Sequence, residues 1–155
     1  MGRAEIPFTG VLAGGVNMAK YTDTEIMYFQ ARAKRLKMTC PDEFYRFDPA
    51  TLAKICNGVG GNGSSLTPII NWIYAKYQTT AAIHDVDYWL GGDEEDRLAA
   101  DKAFLHNAYI EWADYWGWFR WFRPLAWAER RQIQAAYLAV RNFGARYFHR
   151  QEAEQ

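Results

Sequence analysis

Cysteine is scarce: Cys40 and Cys56 are the only two in 155 residues. Two cysteines make a disulfide framework unsuited to this chain and fit a reducing compartment or indifference to redox. Net charge is missing as well, because 18 basic side chains balance 18 acidic ones. That balance argues against a general nucleic-acid binder, and no nucleic acid is expected as a partner. Long hydrophobic runs are absent. The opening MGRAEIPFTGVLAGGVNMAK lacks the continuous apolar core of a Sec signal, and no stretch is long enough to span a bilayer. The expected location is therefore cytoplasmic, or outside the cell after export by a non-Sec route. Histidine is limited to three residues, none of them before His84. An HD-type metal phosphohydrolase needs a ligating histidine upstream of its His-Asp pair, so that class is set aside on ligand count.

Hydrophobic residues make up 50% of the chain and aromatic residues 17%, which is the composition of a folded protein. The length predicts one domain over residues 1–155. Within it, residues 1–20 read as an irregular arm, 56–115 as the region carrying the chemistry, and 116–155 as an aromatic, arginine-rich end. The charges are segregated. Nine acids lie between His84 and Asp114, whereas seven arginines face Glu129 alone between Tyr115 and Arg150. The acidic middle suits a cation, and the basic end suits an anionic partner or the acidic middle itself.

Periodicity predicts an all-α fold with no strand pair and no internal repeat. Thr22-Asp23-Thr24-Glu25 is a capping box opening a helix to about residue 37, with Ile26, Phe29, Ala33 and Leu36 inward. Residues 40–47 read as a connector. Asp48 and Pro49 form an N-cap and first-turn pair for a short helix to residue 56. Thr67 and Pro68 start another helix to about residue 77. A helix over 80–90, capped by Thr80, stops at Gly91-Gly92. Asp93 caps the next helix, and Glu94, Glu95 and Asp96 fill its first turn, where negative charge complements the dipole. The break between these two helices is short enough to make them antiparallel. The final helix is expected over 126–148.

The antiparallel pair brings Asp101 back alongside His84. An imidazole held by a buried carboxylate is an oriented general base. Asp85 projects at another azimuth, where it can serve a cation, and Asp87 is read as a surface residue. Upstream lies a glycine-rich stretch over residues 56–65. It fits a flexible connector. It also fits a loop whose carbonyls coordinate a hard cation together with Asp85. A phosphate-binding loop fits less well, because the stretch has no Gly-Lys-Ser/Thr ending and no preceding strand.

Asn57-Gly58-Val59-Gly60-Gly61, then His84-Asp85-Val86-Asp87-Tyr88, then Asp101 resembles the core of the secreted-type phospholipases A2. In that family a Cys-Gly-x-Gly-Gly calcium loop precedes a His-Asp-x-x-Tyr helix and a second-helix Asp. The resemblance implies a phospholipase A2-like core of two antiparallel helices with a calcium loop and additional flanking helices. It implies calcium-dependent hydrolysis of the sn-2 ester of glycerophospholipids. His84 would activate the water, Asp101 would orient the imidazole, and Tyr88 would hydrogen-bond to Asp101. Asp85 and the carbonyl oxygens of Cys56, Gly58 and Gly60 would bind one calcium ion. The N–H of Gly58 would help stabilise the oxyanion. The chain departs from the family at Asn57 and Asp87, where cysteines are usual, so packing rather than disulfides must pin the helices, as in a minimal bacterial version. The helix over 67–77 also separates the loop from His84.

Five of the seven tryptophans lie between Trp112 and Trp127, mixed with Arg120 and Arg123. Tryptophan beside arginine suits the headgroup level of a phospholipid bilayer. The same rings can instead fill the core or form a protein-interaction patch. The alternative to an enzyme is a non-catalytic membrane- or protein-binding module on the same scaffold.

Overall fold

The computed structural model describes residues 21–56 and 67–148. The expected arm over residues 1–20, the glycine loop including Gly58 and Gly60, and His149 all lie outside the described residues. Among the described residues the fold is all-helical, with no strand. Three helices come before the loop: α1 (Asp23–Leu36), α2 (Glu43–Arg46) and α3 (Pro49–Ile55). Four follow it: α4 (Thr67–Lys76), α5 (Gln78–Leu90), α6 (Glu94–Trp116) and α7 (Pro124–Phe143). Short 3-10 turns, Gly117–Trp121 and Gly144–Tyr147, flank α7.

The helix ends follow local chemistry. Thr22 and Glu25 close a capping box on α1, and Asp48 caps α3 ahead of Pro49. Asp93 accepts from the backbone N–H groups of Glu95 and Asp96 and closes a second box on α6. Gly91 and Gly92, at φ 67° and 133°, turn the chain between α5 and α6 through backbone that other residues rarely adopt.

α5 is the hub. Nine of its thirteen residues are buried, because both cores close on it. One core packs α1 to α3 against Ala82, Ile83 and Val86. The other packs α4, α6 and α7 against Ala81 and Tyr88. The 23-residue α6 runs antiparallel to α5, so Thr80 pairs with Glu111 while His84 pairs with Asp101.

Three expectations need correction. The 40–47 connector contains the one-turn helix α2, which exists to bury Phe44. Thr80 is not an N-cap: α5 starts at Gln78, and the Thr80 N–H and hydroxyl both donate to Glu111, at 2.9 and 2.7 Å. The last helix starts two residues early, on Pro124, and ends at Phe143 rather than 148, giving way to a 3-10 turn. No helix among the described residues is long and apolar enough to cross a membrane.

Glu111 is a buried carboxylate that α6 presents to the hub helix. Burial raises its pKa, and Arg32, 3.4 Å away, together with Thr80, only partly counters that. Replacing Thr80 by the isosteric valine removes the hydroxyl donor and leaves a buried acceptor short of a partner. Urea denaturation at neutral pH should show Thr80→Val less stable by about 1–3 kcal/mol. Unchanged stability would remove Glu111 from the account of this helix pair.

Candidate active site

The short Gly91-Gly92-Asp93 link lets α6 return directly beside α5. Nε2 of His84 lies 3.2 Å from Oδ1 of Asp101. Tyr88, one turn after His84, donates its hydroxyl to the same oxygen at 2.6 Å. His84, Tyr88 and Asp101 are at most 3% exposed. The imidazole is enclosed by the rings of Tyr88 and Phe104, with centroids 4.1 and 4.9 Å away. With Nε2 engaged by Asp101, the ring nitrogen left for proton transfer is Nδ1.

The second oxygen of Asp101 meets two guanidinium groups. Arg141 Nη1 donates to Oδ2 at 3.0 Å, and Arg97 Nη1 stands 3.6 Å away. Arg97 also donates to Glu94 through Nε and Nη2, both at 2.8 Å, and to the Arg141 carbonyl at 3.1 Å. Arg141 closes the ring with a second hydrogen bond to Glu94. Burial pulls the Asp101 pKa upward, but the hydrogen bonds from His84, Tyr88 and Arg141 outweigh it and hold the carboxyl below its usual range. Glu94, exposed and bonded by Arg97 and then Arg141, is lowered to about 2. Tyr88 is pushed upward by burial and by its bond to Asp101, so it remains a donor.

Arg97, Arg141 and Glu94 were not among the residues expected at the site. Arg97 could have been found locally, since it sits four residues before Asp101 and three after Glu94 on one helix face. Arg141 had no local signal, because it arrives from α7, forty residues downstream. Gly144 is a third addition. A Cβ there would lie 2.5 Å from the Tyr88 hydroxyl, so only glycine lets the turn after α7 seal this side of the tyrosine. Phe148 completes the seal edge-on, 5.3 Å from the Tyr88 ring.

Asp85 is buried on the other side of α5. Cys56, the last described residue before the loop, places its buried thiol against the Ala82 carbonyl at 3.4 Å. Ala82 is one turn before Asp85 on α5. Cys56 and Asp85 also act electrostatically on Tyr21, whose pKa is raised by burial first and by Asp85 next. A buried carboxylate is the kind of oxygen donor a hard cation takes, and Asp85 is the described residue that offers one here. Among the described residues no group of three or more His, Cys, Asp or Glu side chains could hold a metal ion. Gly58 and Gly60, the remaining expected contributors, fall outside the described residues.

Asp87, expected at the surface, is half-buried. It lines a pocket of about 280 Å³ with Cys40, Leu90 and Ala103. Burial, slightly opposed by His84, raises its pKa to about 6. Its folded pKa lies above the ordinary value of about 3.9, so its contribution to stability is largest below that value and is lost as pH rises through about 6. His106 is exposed.

Compared with protein-family models, curated proteins and solved structures, the chain matches none of them. Its site is therefore read from its own geometry and from the sequence resemblance. That geometry predicts that Gly144→Ala pushes the Tyr88 hydroxyl off Asp101. The variant should lose about 1–3 kcal/mol in chemical denaturation, and the Tyr88→Phe background should absorb part of that loss. Full additivity of the two changes would mean that Gly144 does not act through the Tyr88 hydroxyl.

Proposed function

We propose that the chain is a phospholipase A2-like hydrolase that cleaves the sn-2 ester of glycerophospholipids in a calcium-dependent reaction. The supporting observation is the shared oxygen of Asp101, which meets His84 Nε2 and the Tyr88 hydroxyl at once. On this reading Asp101 holds the imidazole through Nε2 and Nδ1 acts as the base. In the proposed reaction Nδ1 takes a proton from a water molecule as its oxygen attacks the ester carbonyl. Asp101 stabilises the imidazolium that results, and the same proton then passes to the departing alkoxide of the glycerol unit. Arg97 and Arg141 keep Asp101 ionised throughout. Asp85, with the carbonyl oxygens of Cys56, Gly58 and Gly60, would hold calcium, which supplies a Lewis acid for the ester carbonyl; the N–H of Gly58 would assist. The partner is a phospholipid bilayer or aggregate, reached in the cytoplasm or after export by a non-Sec route.

One observation favours a second reading. The His84 side chain is 4% exposed and Asp101 wholly buried, with Oδ2 clamped by two arginines. A buried ionic clamp can tie α5, α6 and α7 together without any turnover. On that reading the chain is a non-catalytic membrane- or protein-binding module.

Fatty-acid release from phospholipid vesicles separates the two. Hydrolysis should require calcium, stop with chelator, and fall by about 10²–10⁴-fold in His84→Gln at unchanged helicity. Vesicle binding by the wild type without release of fatty acid would leave the module reading in its place.

A further inference from the structure

The aromatic segment divides into two sets. Trp112 and Trp116 point inward: their indole N–H groups donate to the Ala126 carbonyl at 3.0 Å and to Glu129 at 3.1 Å. The 3-10 turn Gly117–Trp121 between α6 and α7 buries none of its residues. Trp118, Phe122 and Leu125 are 65%, 68% and 69% exposed, and Phe119 and Trp121 are more than half exposed. These five large apolar side chains occupy one tip of the molecule. The tip is held rigid from beneath by the inward pair and by an Arg120 hydrogen bond to the Gly117 carbonyl at 2.6 Å.

The charge on this tip is of one sign. Arg120 lies 5.1 Å from the centroid of the Trp121 ring and Arg123 5.8 Å from that of Phe119. Arg130 and Arg131 follow on the exposed face of α7. The single acid in the segment, Glu129, is buried and bonded to Lys76, Tyr77 and Trp116. A symmetric contact between two copies would set this patch against itself and bring like charges together. An anionic lipid surface supplies the opposite charge, and its headgroup layer suits amphipathic rings.

We infer that the Trp118–Leu125 tip docks the protein on a bilayer containing anionic phospholipid, with the exposed aromatic rings at headgroup depth and Arg120 and Arg123 on lipid phosphates. This site is separate from the His84–Asp101 pair. Asp101 and Trp116 are fifteen residues apart on α6, or about 22 Å along its axis. The inference goes beyond the hydrolase reading and is measured without turnover.

The experiment is flotation of the wild-type protein, in EDTA, with vesicles of phosphatidylcholine alone or mixed with phosphatidylserine. Binding should be stronger with phosphatidylserine and should weaken as salt rises. Trp118→Ser with Phe122→Ser should weaken it at least tenfold, and Arg120→Gln with Arg123→Gln about twentyfold, each with an unchanged circular dichroism spectrum. Four results would each overturn the inference. They are no binding, equal binding to both vesicle types, concentration-dependent dimers that the Trp118 and Phe122 changes dissociate, and tighter binding to a single-stranded oligonucleotide than to vesicles. Because calcium is withheld, failure here leaves the hydrolase reading standing, and failure of hydrolysis leaves this one standing.

Discussion

A wholly buried carboxylate is too costly to leave unpaired, and Asp101 is such a group. The α5, α6 and α7 segment of the fold is arranged to satisfy it. α5 brings His84 and Tyr88, α6 brings Arg97 along with Asp101 itself, and α7 brings Arg141. The turn after α7 contributes only the absence of a side chain, at Gly144, where a methyl group would collide with the tyrosine. A chain with no disulfide among its described cysteines has to fix its helices by contacts of this sort, and Asp101 ties three of them at one point. The same requirement commits Nε2 of the imidazole to Asp101.

What was legible in the sequence is what is decided within a turn or two. The capping boxes at Thr22 and Asp93, the Pro49 start and the Gly91-Gly92 stop are all local, and the helix ends fall there. The approach of Asp101 to His84 was legible because the link is too short for any other packing. Arg141 was not, since its partner lies forty residues upstream and nothing near it in sequence marks it. Thr80 looked like a cap because a hydroxyl precedes an apolar run; its hydroxyl is instead claimed by Glu111 across the helix interface. Asp87, read as a surface residue, is half-buried because a helix packed on most sides leaves few azimuths for solvent. The glycine stretch allowed several readings in the sequence and lies outside the described residues.

The aromatic end divides into a part packed inward and a part left exposed. Trp112 and Trp116 belong to the core and spend their N–H groups on buried acceptors. The five residues between Trp118 and Leu125 that face outward have no such anchoring and share their surface with arginine. The two ends of α6 thus differ in kind. One holds a buried ionic cluster, and the other holds an exposed cationic and aromatic tip about 22 Å away.

The most direct test of the central claim is the tautomer of His84. Long-range proton–nitrogen NMR of the neutral ring distinguishes the two nitrogens. If Asp101 orients the imidazole as a base, the ring proton resides on Nε2 and Nδ1 carries none, and Asp101→Asn disturbs that preference. A proton found on Nδ1 in the wild-type protein would turn the basic nitrogen toward Asp101, leaving His84 a packed core residue and the base without a position.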